Sequence, residues 1–68
     1  MSILNDRELM TYALRESLSR EKHSLEKMKF YYKSTRDNNI KSICENLANV
    51  CKVRIDILQK EMKNFYLK

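Results

Sequence analysis

Two cysteines, one histidine and three charged residues on apolar faces are the side chains here with chemistry to offer. Cys44 and Cys51 lie seven residues apart in one apolar-periodic segment. On a helix their Cα atoms would stand ~10 Å apart, at ~1.5 Å per residue. That exceeds the reach of a disulfide within the chain. A metal would need further ligands close by, and the segment has none. Both are expected to be small buried hydrophobes. A disulfide between subunits would require a symmetry contact. His23, the single histidine, falls on the far side of its helix from Glu21, where a solvated ring is expected. Serine, histidine and aspartate occur without triad spacing, and no glycine-rich loop exists to hold a phosphate. No catalytic residue, cofactor or enzymatic activity is expected.

The charged residues need the helices that carry them. The chain has 68 residues, enough for one small domain, with no glycine, proline or tryptophan. Sheets and long loops use glycine and proline at turns, so an all-α protein is expected. Charged residues make up 34% and hydrophobic ones 43%, which suits amphipathic helices rather than disorder. Leu4-Asn5-Asp6-Arg7-Glu8-Leu9 reads as a helix start: Asn5 caps, Glu8 takes the capping-box position, and Leu4 staples onto Leu9. The first helix is predicted from about residue 6 to 35. Its apolar stripe is Met10, Leu14, Leu18, Leu25, Met28 and Tyr32, with Ser17 and Ser24 flanking it. Residues 34–39, STRDNN, are the one cluster of turn formers, with the turn at about 36–39. Asn and Asp there tolerate a left-handed conformation and cap the next helix. The second helix is predicted from about 39 to 65. Its stripe runs Ile40, Ile43, Cys44, Leu47, Val50, Cys51, Ile55, Leu58, Met62 and Phe65. A short loop between long helices implies an antiparallel hairpin.

On a wheel of 100° per residue three charges fall inside the apolar faces. Glu21 lies among Leu14, Leu18, Leu25 and Met28. Arg54 and Glu61 lie within the face of the second helix. Folding the chain at Asp37–Asn38 sets residues level when their numbers sum to 75, and Glu21 and Arg54 satisfy that sum. A core ion pair between Glu21 and Arg54 is therefore expected. Such a pair sets register more than it adds stability, and losing one buried partner costs about 3–5 kcal/mol. The same wheel also allows both side chains to snorkel to the helix edge without meeting.

The stretch SREKHS…KSTRDNNIKSICENLANVCKVRIDIL, within about residues 13 to 61, resembles rubrerythrin and other ferritin-like hairpins. Glu21-Lys22 is similar to that family's core Glu-Lys, Asp37 to its turn, and Leu47-Ala48, Ile55 and Leu58 to its second helix. The resemblance implies half of a ferritin-like four-helix bundle. In that family a Glu-x-x-His motif and further carboxylates hold a di-iron centre. Here the Glu position is Cys51 and the His position is Arg54, so only Glu21 keeps a ligand type. Arginine has no lone pair to give a metal, and its charge would repel one. The resemblance thus implies a metal-free site, with Arg54 supplying the charge an ion supplies in relatives. Short hairpins of this kind also resemble segments of bacterial proteins, including some spore-coat proteins, where the fold is a building block.

One hairpin cannot cover the apolar face of the second helix, which spans nearly half its circumference. Ile43, Val50 and Ile57 lie on one flank, and Cys44, Ile55 and Met62 on the other. Dimerisation into a four-helix bundle is expected. Leu14, Leu18, Ile43, Val50, Ile57, Glu61 and Phe65 are the expected oligomer interface. Glu61 would find its partner across it, at Arg7 or Arg54 of the other copy. Phe30-Tyr31-Tyr32 and Phe65-Tyr66 are expected at the core and the rim. The net charge of +5 is spread along the chain and interleaved with acids, so no specific nucleic-acid binding is expected. No apolar run approaches the ~20 residues of a membrane span and no signal peptide is evident, so a soluble cytoplasmic protein is expected. A non-enzymatic structural or interaction module is the leading expectation. The first alternative is a metal-binding ferritin-like protein or oxidoreductase, its site completed on oligomerisation by Glu21, Glu16 and Glu61. The second is a basic nucleic-acid-associated protein.

Overall fold

A computed structural model of the chain describes residues 4–66. Two helices make the fold: α1, Asp6–Ser34, and α2, Asn38–Tyr66, each of 29 residues. They form a hairpin, packed along one face, and the rod measures 49 × 28 × 12 Å. Its length is close to the ~43 Å that 29 helical residues span.

Local chemistry sets the ends of α1. The Asn5 side chain accepts a hydrogen bond from the Glu8 amide at 2.7 Å, which occupies one orphan donor of the first turn. Asp6 and Glu8 lie at the positive end of the helix dipole and Lys33 at the negative end. Leu9, expected to be stapled by Leu4, is half exposed.

The turn is built differently from its sequence expectation. No described residue has a positive φ. The chain leaves α1 through Thr35, an extended residue at φ −90°, ψ 149°, whose amide donates to the Tyr31 carbonyl. The Thr35 hydroxyl then accepts from the Asp37 amide at 3.1 Å. Asp37 Oδ1 in turn accepts from the amides of Asn39 and Ile40 at 2.8 and 3.1 Å. An extended residue and two side-chain hydrogen-bonding groups thus reverse the chain without left-handed backbone. Asp37→Ala should remove the α2 cap and cost about 1 kcal/mol. Urea unfolding followed by circular dichroism checks this, and Asp37→Asn should retain most of the stability.

The inward row of α2 repeats every three or four residues: Cys44, Ala48, Cys51, Ile55, Leu58, Met62, Phe65. Only Cys44, Ala48 and Cys51 are buried, and the other four are half-buried. Opposite them Leu14, Leu18, Leu25 and Met28 of α1 are half-buried. The fully covered residues are the small ones, since small side chains let two helix axes approach closely. Cations close both ends of the rod. The Arg7 guanidinium sits 5.1 Å from the Phe65 ring centre, and the Lys41 ammonium 5.6 Å from that of Tyr32.

Candidate functional site

Glu21 in α1 and Arg54 in α2 stand level across the hairpin, with Glu21 Oε2 3.5 Å from Arg54 Nη1. The setting differs from the core placement expected. The Glu21 side chain is 20% exposed and that of Arg54 63% exposed. Arg54 is carried on the outer edge of the apolar face, one row away from Cys51 and Ile55. Its long side chain reaches back to Glu21 while its remaining donors face solvent. The pair therefore sits at the mouth of a shallow groove lined by Ser17, Glu21, Arg54, Ile57 and Leu58.

Exposure changes the energetics. Water screens a half-open pair, which is worth roughly 0.2–1 kcal/mol rather than the larger cost of breaking a buried one. A double-mutant cycle on Glu21→Ala and Arg54→Ala should give a coupling of about 0.5 kcal/mol in the single hairpin. Added salt should reduce it. Urea unfolding at low protein concentration measures it, and a coupling indistinguishable from zero at low salt would remove the pair as an energetic feature.

Cys51 is the third member of this site, and its contact with Glu21 was not read from the sequence. Burial pushes its thiol above the ordinary value. The negative charge of Glu21 and a hydrogen bond to its carboxylate push it further, against a smaller lowering by Arg54. The contact was open to the numbering, because Cys51 stands level with Ser24, one helical turn from Glu21, just as it precedes Arg54 by one turn. The Glu21 carboxylate thus faces the Arg54 cation on one side and, on the other, favours the protonated form of a buried thiol. Such a thiol is a poor nucleophile.

This donor set does not fit the di-iron centre that the ferritin-like resemblance implies for relatives. One carboxylate, one protonated thiol and one guanidinium offer a metal too few lone pairs and an opposing charge. Among the described residues no cluster of three or more His, Cys, Asp or Glu is placed to hold a metal. Glu16, offered by the metal-binding alternative, pairs with Arg20 at 2.6 Å on an exposed face. His23 is exposed. Cys44 and Cys51 are both free thiols.

The expected interface residues divide between two settings. Leu14, Leu18 and Phe65 are half-buried within the hairpin, Phe65 under Arg7. Ile43, Val50 and Ile57 are 57, 44 and 53% exposed, and Glu61 is exposed. Ile40 and Leu47 complete that row at 45 and 47%, although both belong to the stripe expected inside. Facing it across the groove α1 presents Ser17, and nearer the loop Tyr31 lies beside Ile40. The opposite flank is polar, with Lys29, Lys33, Glu45, Asn49 and Lys52 around its groove. Arg7 and Arg54, the partners expected for Glu61, are engaged within the chain by Phe65 and Glu21.

The chain thus belongs to the class of two-helix all-α hairpins, with one apolar and one polar flank. Comparison with protein-family models, with curated proteins and with solved structures finds no match. The rubrerythrin-like resemblance accordingly rests on Glu21-Lys22, Asp37, Leu47-Ala48, Ile55 and Leu58 alone. No helix among the described residues is long and apolar enough to cross a membrane.

Proposed function

We propose that this chain is a non-enzymatic, metal-free interaction module that self-associates through the apolar flank of α2. Two copies would complete a four-helix bundle of the ferritin-like kind, with the Glu21–Arg54 pair standing where relatives hold metal. The observation that carries this reading is the row Ile40, Ile43, Leu47, Val50 and Ile57, each 44–57% exposed on one side of one helix. A monomer seldom leaves so continuous an apolar strip in water.

Surface area supports the same reading. The hairpin exposes 5758 Å², whereas a compact monomer of 8.2 kDa exposes ~4,500 Å². The excess, ~1,200 Å², is above the ~800 Å² that one partner gives a standard interface and within what one partner of an obligate homodimer gives. The chemistry at Glu21 supports a metal-free site, because its single carboxylate is matched by the Arg54 cation and has no second carboxylate or histidine beside it among the described residues. Two free buried thiols suit a reducing compartment such as the cytoplasm.

Light scattering coupled to size exclusion tests the assembly, and elemental analysis of the same peak tests the site. The reading expects two chains per particle at micromolar concentration and no stoichiometric metal. A mass of one chain would overturn the self-association. Iron, manganese or zinc at one or more per chain would overturn the metal-free site.

A further inference from the structure

We infer that the polar flank binds the phosphate backbone of a nucleic-acid duplex without reading its sequence. This flank lies opposite the one assigned to self-association, so neither proposal depends on the other.

The fold sorts charges that alternate along the chain. Arg15, Lys22 and Lys29 recur every seven residues of α1, with Lys33 four further on, so they share one side of that helix. Arg15 and Lys22 border a groove beside Leu18, and Lys29 and Lys33 border the next along the rod. Lys52 of α2 borders that second groove from the far side, and Lys41 lies over the Tyr32 ring. Of these cations only Lys29 is matched by an acid among the described residues, Glu26 at 3.6 Å. Elsewhere acids meet cations directly: Glu16 pairs with Arg20, Glu21 with Arg54 and Asp56 with Lys60. Two acids interrupt the flank without an ion pair among the described residues, Glu8 beside Arg15 and Glu45 in the groove of Lys52. The net charge of +5 is therefore gathered mostly on this side.

Level and spacing make this a line of charge. By the numbering of the hairpin Lys33 stands within one residue of the level of Lys41, and Lys22 within one residue of that of Lys52. The two couples are ~16 Å apart along the rod, and Arg15 lies ~10 Å beyond the second. A duplex carries one negative charge per ~1.7 Å of its axis, so it meets every cation of such a line at once, and each contact releases a condensed counterion.

The other side chains of the flank choose among polyanions. A single strand is held by rings on which its bases stack. The ring in this groove, Tyr32, is capped by Lys41. The most exposed rings, Phe30 at 66% and Tyr12 at 57%, lie on the back of α1, nearly opposite α2. A lipid surface is entered by large apolar side chains standing beside the cations. Between these rows stand Met28, Cys44 and Ala48, which are half-buried or buried. A duplex asks for neither, since its bases are stacked inside and its phosphates face outward. Contacts to phosphate fix position and carry no sequence information directly.

Fluorescence anisotropy of a labelled DNA duplex of mixed sequence, titrated with the full chain at several salt concentrations, tests this. Binding should weaken as salt rises, with a log–log slope of about 4–5 if the cations without an acid partner each meet a phosphate. Lys22→Glu combined with Lys52→Glu should lower that slope by about two and weaken binding at least ~10-fold at low salt. Arg20→Glu combined with Lys27→Glu makes the same change in net charge on the far side of α1 and should cost less than ~3-fold. All four positions are exposed, and circular dichroism checks the fold of each variant. Glu45→Gln is a second readout that reverses no charge. It should tighten binding about 2-fold at low salt, because it removes an acid from the flank. Equal losses in the two double variants overturn the flank as the site. An affinity unchanged or weakened by Glu45→Gln overturns it too, as does no binding at low salt. A single strand, polyglutamate or vesicles of phosphatidylcholine with phosphatidylserine bound as tightly as the duplex would overturn the duplex as the partner.

Discussion

Replacing Val50 with aspartate is expected to turn a two-chain particle into single chains. Val50 lies near the middle of α2, in the centre of its exposed aliphatic row, and is 44% exposed in one hairpin. Once a second copy covers it, an aspartate there would be desolvated with only Arg54, one turn on and already engaged by Glu21, to receive it, and such a group is costly. The change enters the interface twice, once from each copy. A dissociation constant at least ~100-fold weaker is expected, or about 3 kcal/mol at 1.4 kcal/mol per decade. Light scattering across a dilution series reads this directly. Thermal midpoints supply a second readout, because a dimer melts at a temperature that depends on concentration and a monomer does not. Asn49→Asp, on the polar flank one residue earlier, adds the same charge and should leave the mass unchanged. If Val50→Asp also leaves it unchanged, this row is not the interface.

Enlarging Ala48 to leucine should have the largest effect on the hairpin itself. Ala48 is 9% exposed and lies between Cys44 and Cys51, the other two buried residues. By the numbering of the hairpin its level falls between Leu25 and Met28, so the three added carbons meet side chains already in place. The helices must part or the leucine must leave its preferred rotamer, at a cost of about 1–3 kcal/mol. For a domain this small, each kcal/mol lowers the melting temperature by about 4–8 °C. Asn46→Leu offers the matched control, since position 46 is exposed on the back of the same helix. Its effect should stay within about 0.5 kcal/mol. Circular dichroism melts of both variants at equal concentration make the comparison. A leucine tolerated at position 48 as well as at position 46 would mean that the close approach of the helices is not what holds the hairpin.

Much of this architecture was legible from residue order. Asn5, the turn formers at 34–39 and the absence of glycine and proline place two helices and one reversal, because capping and turn preferences act over a few neighbours. The helices begin and end within about one residue of those expectations. The level at which Glu21 and Arg54 stand was also legible, since rise per residue is constant and the turn is short. Periodicity gives a direction around a helix and not a depth, so it could not say how far either charge would be covered.

Other features were decided only by the fold. α2 has two adjacent apolar rows, one of cysteine and alanine leading to Ile55 and Leu58, the other of Ile40, Ile43, Leu47, Val50 and Ile57. A wheel ranks them nearly alike. The structure turns the first inward, because its small members let the axes close and the larger aliphatics would hold them apart. That choice leaves Leu47 outside, moves Arg54 to the rim and brings the Cys51 thiol against Glu21. The reversal through extended Thr35 is local by contrast, since its hydroxyl and the Asp37 carboxylate accept from amides two or three residues on. By itself the sequence determined that there would be two helices, where they would turn and which residues would stand level. Which face would be core and which would be left to meet another molecule was decided by how closely two packed helices can approach.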